Sequence, residues 1–373
     1  MSSSGQYMIG CIYGGGIYIS ESTNVGNQVV TNYKTNDIDL GTIFAPYSSI
    51  IPNFGQNWDT TTNLPSLNKV AISRDGVCML ANGNPGVITY SVNGGTTWSS
   101  STGEPNADWM VMAISDKIGS NYVCLAADHT SSGNIYLSID SGSSWTNMPT
   151  SPSKYWWGVA ISADATTAFA VVSDGYVYKC TGNPINSGSN WSQTTLASAH
   201  WREVAMSADG QYVVACVANT GASGSIYGIW YSTNSGSTWQ KSNYYRGSTY
   251  WYAITMSITG QYAAVCDNSI YIYYSSDYGA SWTAATVPGS ITRLYDIYMS
   301  SSGQYVIAAT TTGMYYSIDN GATWTQSANT DTYIGCALSG DGTIGIAANS
   351  NNDIQISTNI PPQTVTGYVV SIE

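Results

Sequence analysis

Residues 138–145 read Ser-Ile-Asp-Ser-Gly-Ser-Ser-Trp. A serine two positions before an aspartate could be a nucleophile beside its acid, the start of a metal loop, or punctuation of the fold. Recurrence decides between them. Ser317 to Trp324 repeats the pattern Ser-x-Asp-x-Gly-x-x-Trp through Asp319, and Ser275 to Trp282 repeats it through Asp277. Asparagine replaces the aspartate at Asn93, before Trp98, and at Asn234, before Trp239. Worn copies run from Asn53 to Trp58 and from Asn186 to Trp191. Seven tryptophans therefore fall 40 to 48 residues apart. A chain does not build one catalytic centre seven times, whereas a repeat fold is punctuated in this way. Asp140, Asp277 and Asp319 read as turn staples. Their carboxylates can accept backbone N–H groups in an Asx turn, the glycine permits positive φ, and the tryptophan wedges between sheets.

Few other residues could carry acid–base chemistry. Glycoside cleavage needs two carboxyls roughly 5 to 9.5 Å apart. Of four glutamates, Glu203 has the best setting, with Asp296 at the equivalent position two repeats later. The pair reads equally as solvated rim carboxylates or as partners of Arg202 and Arg293. His129 lies in a Thr-Ser-Ser-Gly loop and His200 beside Trp201, neither with a nucleophile elbow. The seven cysteines include no C-x-x-C spacing, so no metal or cofactor is expected. Cys11, Cys124, Cys216 and Cys266 each follow a recurring serine by nine residues, and equivalent positions in different repeats are too far apart to bridge. They read as small buried hydrophobes of a protein folded in a reducing compartment.

Short strands must position these residues. Ala253–Met256, Gln261–Cys266 and Ile270–Ser275 are strand-like runs divided by Ser257-Ile258-Thr259-Gly260 and Asp267-Asn268-Ser269, and Trp282 opens a fourth. Such runs between Gly, Asn and Asp turns are the antiparallel signature. The first turn recurs at Ser73, Ser162, Ser207, Ser300 and Ser339. Four strands per 40-odd residues predict one all-β domain, a β-propeller of four-stranded antiparallel blades. Residues 1–20 align with 299–318, and Tyr333 to Ser357 makes a further partial unit. Eight units are thus counted and eight blades expected, with seven the alternative if the terminal units merge to close the ring. Residues 21–50 fit no repeat and read as an insertion in the first blade.

The repeated motif resembles the Asp-box, or BNR repeat, of sialidases, sortilin-type receptors, xyloglucan-cleaving glycosidases and photosystem II assembly propellers. The likeness covers nearly the whole chain. It implies that the boxes turn between third and fourth strands, remote from the working face. It also implies that arginines could clamp a carboxylate, as three do in sialidases, a task suited to the guanidinium fork. Three of the four arginines, Arg202, Arg246 and Arg293, enter consecutive blades on the face opposite the boxes, while Arg74 lies on the other turn. No Phe-Arg-Ile-Pro-like stretch is present, a departure from the sialidase pattern.

On that opposite face, six residues before the recurring serine, stand Trp109, Trp156, Trp201 and Trp251. Trp157, Arg202, Tyr252 and Tyr295 follow, then Lys69, Glu203 and Asp296. The first strand of a blade is innermost, so these side chains are expected around the mouth of the central channel. Ringed aromatics there can stack on sugars or anchor a protein. The alternative is that the repeated tryptophans are core between blades.

Bulk composition narrows the partners. Charged residues make up 9 % of the chain and the net charge is −12, so no basic stripe exists to neutralise nucleic-acid phosphates or to seek anionic lipid. No apolar run approaches the roughly 20 residues of a membrane span, and no signal peptide is visible at the N-terminus. Abundant Tyr, Ser, Gly and Asn suit a paratope-like surface. The expectation is a non-catalytic recognition or assembly module for a glycan or protein. A glycoside hydrolase using Glu203 and Asp296, and a purely structural particle component, are the alternatives.

Overall fold

Short β-prone runs between turn residues fold here as strands throughout. The computed structural model describes residues 7–12, 16–21 and 63 as backbone, and 55–62, 67–83, 85–148, 152–218, 226–243, 250–289 and 291–358 in full. The chain divides into two units, residues 52–361 and residues 1–51 with 362–373. No helix among the described residues is long and apolar enough to cross a membrane.

In the larger unit, seven four-stranded antiparallel sheets form the blades of a propeller. Blade one comprises Leu67–Ile72, Met79–Gly83, Ile88–Ser91 and Ser99–Ser100, and blades two to six begin at Trp109, Trp156, Trp201, Trp251 and Leu294. Each first strand lies against the first strands of both neighbouring blades, which closes the ring around a channel. Second strands such as Val213–Val217 and Val306–Thr310 are buried at every residue, because neighbouring blades cover both of their faces.

The expected eight blades are corrected to seven. Blade seven takes Tyr333–Leu338, Gly345–Asn349 and Asp353–Ser357 from one end of the unit and its outer strand, Asp59–Asn63, from the other. Asp59 pairs with Ile356 and Asn63 with Asp353. The partial unit without a tryptophan and the worn copy at Trp58 are therefore two halves of one blade. Sharing that sheet pairs the edge of Asp353–Ser357 that the partial unit alone would leave open. The apparent first blade is instead a separate two-stranded hairpin, Tyr7–Ile12 with Gly16–Glu21, in the other unit. Its pairing of Met8 with Ser20 matches that of Val306 with Ser317 in blade six. The insertion read over 21–50 lies, from residue 22 onward, outside the described residues, as does Asn53.

Both kinds of turn lie on one face, here the lower. In the turns after first strands, a serine hydroxyl accepts a backbone N–H across the turn in all seven blades, at 2.9 to 3.1 Å. A belt of backbone hydrogen bonds then runs from blade to blade. Gly340 donates to Arg74, Ser301 to Gly340, Ile258 to Ser301, Ala208 to Ile258, Ala163 to Ala208 and Asp116 to Ala163, all at 2.7 to 2.9 Å. The remaining gap, between blades one and two, is bridged by the Arg74–Asp116 ion pair at 3.0 Å.

The turns between third and fourth strands come in two chemical forms. Asp140 accepts the Ser144 N–H at 2.8 Å and the Ser144 hydroxyl at 2.6 Å, and Asp277 and Asp319 do likewise with Ser281 and Thr323. Asn93 and Asn234 keep the backbone bond through Oδ1 but donate from Nδ2 to Thr97 and Thr238 at 2.8 Å. In six blades the tryptophan indole donates to the carbonyl of the turn glycine, at 2.9 to 3.1 Å. Gly142 shows why that residue is glycine. Its φ is +88°, and a Cβ there would stand 2.5 Å from Leu80 Cδ2 in the neighbouring blade. Blade three differs, since Asn186 forms a shorter turn onto the Gly188 N–H and Trp191 donates to Met148 Sδ instead.

Cys78, Cys124, Cys180, Cys216, Cys266 and Cys336 are free and buried. The Cys11 side chain lies outside the described residues.

Candidate functional site

The upper mouth of the channel is shaped by a bulge that every first strand repeats. Pairing with the second strand skips one residue directly after the inner aromatic or leucine, as between Trp156 and Gly158 or Trp201 and Glu203. A bulge re-aims side chains. The residue before it turns into the inter-blade core, and Trp109, Trp156, Trp201 and Trp251 are only 0 to 2 % exposed. They do not ring the mouth as candidate ligand contacts; they are core, and Trp109 and Trp201 satisfy their indoles on the Gly86 and Ala197 carbonyls.

The bulged residues themselves are Asn68, Met110, Trp157, Arg202, Tyr252, Tyr295 and Ile334. Four consecutive ones form a stack across blades three to six. The Arg202 guanidinium lies 3.6 Å from the Trp157 ring centre and 4.0 Å from that of Tyr252. Tyr252 meets Tyr295 edge-on at 6.4 Å, and Arg293 sits 4.7 Å over Tyr295 while donating to Asn268 at 2.8 Å. At the other end His129, from blade two, lies 4.1 Å from Trp157 and contacts Tyr155 at 5.4 Å. Alternating aromatic and cationic groups attract through the ring quadrupole, by about 0.5 to 2 kcal/mol per contact. Sequence reasoning passed over His129, whose place in the stack depends on which loop its neighbouring blade presents. Arg246 lies outside the described residues.

One step inward the channel wall carries Lys69, Glu203 and Asp296, with Val111, Gly158, Ala253 and Gly335 at the equivalent positions of the other blades. Lys69 pairs with Asp296 at 2.9 Å and donates to the Tyr295 carbonyl at 3.3 Å. Asp296 also accepts the Ile297 and Cys336 N–H groups, at 3.0 and 3.2 Å. Burial works to lower the Lys69 pKa, but Asp296, Tyr252 and Glu203 together outweigh it and raise it. Glu203 is pushed up to about 8, first by burial and then by the Asp296 charge, against the pull of Lys69 and Arg202. Below these groups the channel encloses a cavity of about 210 Å³.

As a catalytic pair Glu203 and Asp296 are unequal. Asp296 is committed to a lysine and two backbone amides. At His200, Ser173 Oγ and Asp174 Oδ1 approach the same ring nitrogen, at 3.1 and 3.0 Å. A nucleophile relay needs the acid and the hydroxyl on opposite nitrogens. No cluster of three metal-ligating side chains occurs among the described residues.

No family model and no curated protein matches this chain. Among solved structures it is similar to YCF48 from Cyanidioschyzon merolae, with a TM-score of 0.59 and 15% identity over 83% of this chain and 99% of that one. It is similar to YCF48 bound to D1 peptide, with a TM-score of 0.58 and 15% identity over 86% of this chain and 99% of that one. Kuenenia stuttgartiensis hydrazine synthase gives 0.58 and 15% over 80% of this chain and 97% of its own. At such identities the likeness is one of fold, and it places the chain among the β-propellers.

Proposed function

We propose that this propeller is a recognition module that holds a segment of a protein partner across its upper face. One observation carries the reading: the stack of Trp157, Arg202, Tyr252 and Tyr295 brings three rigid aromatic rings and one guanidinium together from four consecutive blades. Rigid aromatics and arginine dominate binding energy at protein interfaces, because they bury much area for little lost freedom. The structure of YCF48 with D1 peptide is a propeller of similar fold with a peptide bound, which favours a protein partner over a glycan. Tyr252, Tyr295 and Arg293 belong to the same surface. On this reading the Ser-x-Asp-x-Gly-x-x-Trp turns are Asp-boxes in the scaffold role, and residues 52–361 are the working module.

Selection of random displayed peptides against the folded chain tests it. Selected peptides should lose about ten-fold or more in affinity on Trp157→Ala and keep it on Ile139→Asp, which alters an exposed lower-face residue. A selection that yields no peptide, or peptides sensitive to Ile139→Asp instead, contradicts the reading. Response on a glycan array in place of any peptide would turn it into a lectin. The raised Glu203 supports a second reading, a general acid of a glycoside hydrolase. Turnover of fluorogenic glycosides, lost in Glu203→Gln, would establish it, and inactivity on a broad panel would remove it.

A further inference from the structure

Arg202 differs from Lys69 and Arg293, the two other cations beside the stack. Lys69 has Asp296, and Arg293 has Asn268. Arg202 is 4 % exposed, yet it forms no ion pair or hydrogen bond among the described residues. Its two faces are covered by Trp157 and Tyr252, at 3.6 and 4.0 Å. Those distances leave a slot one planar group thick, with the row of N–H donors along its edge. A guanidinium without an acceptor has its fork free for an incoming anion.

We infer that Arg202 takes a carboxylate of the partner segment edge-on, in the slot between the Trp157 and Tyr252 rings. The inference rests on the upper face being a protein-binding surface. A carboxylate is planar and presents two oxygens to the fork, so it lies in the same layer as the guanidinium. A tetrahedral phosphate or sulfate is thicker than that layer and meets both rings. The adjoining Glu203 keeps the site cationic. Its carboxyl faces Asp296, Lys69, Arg202 and the Cys216 thiol, and stays protonated up to about pH 8. Above that pH its own carboxylate competes for Arg202, so capture weakens with rising pH.

The chain has four arginines, which makes the test simple to read. The full chain labelled with ¹⁵N-arginine is titrated with N-acetylglycine, with N-acetylglycinamide and with inorganic phosphate, while the Nε–H signals are followed. The expected result is a saturable shift of the Arg202 signal with N-acetylglycine, none with the amide, and binding of phosphate weaker by about ten-fold or more. Arg202→Lys, which keeps the charge without the fork, should weaken N-acetylglycine by about ten-fold while the other arginine signals report an intact fold. Glu203→Gln should bind as the native chain does at pH 6 and lose the decline above pH 8. The α-amide of N-acetylaspartate distinguishes a side-chain carboxylate from a chain terminus; tighter binding of either supports the assignment and names the source. An unmoved Arg202 signal, an equal response to the amide, or phosphate as tight as N-acetylglycine overturns it. A response to glucuronate alone overturns the peptide source. Selected peptides that bind equally as acid and amide, and contain no Asp or Glu, would leave the protein-binding face standing and sink the carboxylate anchor. Absence of any peptide ligand, with N-acetylglycine still captured, would do the reverse.

Discussion

The lower and upper rims of this propeller are built from the same strands and follow opposite rules. On the lower rim the same interactions recur from blade to blade: a serine hydroxyl caps each first turn, and a glycine carbonyl holds the indole of the third turn in six of seven blades. On the upper rim the bulge recurs but its occupant changes, from Asn68 and Met110 to Trp157, Arg202, Tyr252, Tyr295 and Ile334. A feature present in every blade solves a problem that every blade has, closing its turn and packing on its neighbour. A feature that differs between blades solves a problem that the ring has only once. Repetition therefore marks scaffold, and departure from it marks the surface to test.

The sharpest way to break that division is to remove one wedge. Trp145→Ala empties the contact between blades one and two and should cost about 3 to 5 kcal/mol in urea unfolding. A loss under about 1 kcal/mol would mean the indole does not hold the blades together. Gly260→Ala comes next. Its φ of +77° disfavours any side chain, and a Cβ would lie 2.6 Å from Tyr212 Cβ, so calorimetry should show a loss of roughly 2 to 3 kcal/mol. Trp157→Ala on the upper rim should cost only about 1 to 2 kcal/mol, since its ring is partly exposed, while binding of a selected peptide falls about ten-fold or more.

Two pH experiments sharpen the comparison further. Glu203 titrates at about 8 in the folded chain, against an ordinary value of 4.5. The stability linked to its neutral form is whole below pH 4.5 and is lost as pH rises to about 8. Glu203→Gln should therefore keep, at pH 9, on the order of 1 kcal/mol that the native chain loses, a value discounted for water in the channel. Asp140 behaves in the opposite sense. Burial would raise its pKa, but the hydrogen bonds from Ser144 and Ser138 lower it below the ordinary carboxylate value. The stability it lends is present above the unfolded pKa of 3.8 and disappears as pH falls through the lower folded value. Asp140→Asn should change stability at pH 7 by only about 0.5 kcal/mol, because Asn93 and Asn234 already make the same turn, and should blunt the loss below pH 4. A large loss at neutral pH would show that the charge itself holds the turn.

Much of the scaffold was legible because its signals are local. Spacing of the tryptophans, the turn glycines and the serine before each second strand all lie within a few residues of what they organise. Blade number was not local. The pairing of Asp59–Asn63 with Asp353–Ser357 joins segments almost 300 residues apart, and the blade-like residues 1–20 argued for an eighth unit. The seven tryptophans nonetheless matched the final count. At the mouth, sequence placed Trp157, Arg202, Tyr252 and Tyr295 together but set Trp109, Trp156, Trp201 and Trp251 beside them. One bulged residue reverses which of two adjacent side chains faces the core, and no spacing along the chain reveals it. His129 joins the stack through a loop of the adjacent blade, a contact set by the ring and not by its own repeat.

A double titration tests the division of the two rims most directly. The affinity of one selected peptide and the unfolding free energy are measured together on Trp157→Ala and Asp140→Ala. Separate roles require that Trp157→Ala lose the peptide while largely keeping its fold, and that Asp140→Ala lose about 1 to 2 kcal/mol of stability with an unchanged dissociation constant. Loss of binding in Asp140→Ala at a temperature where it remains folded, or full binding by Trp157→Ala, would contradict them.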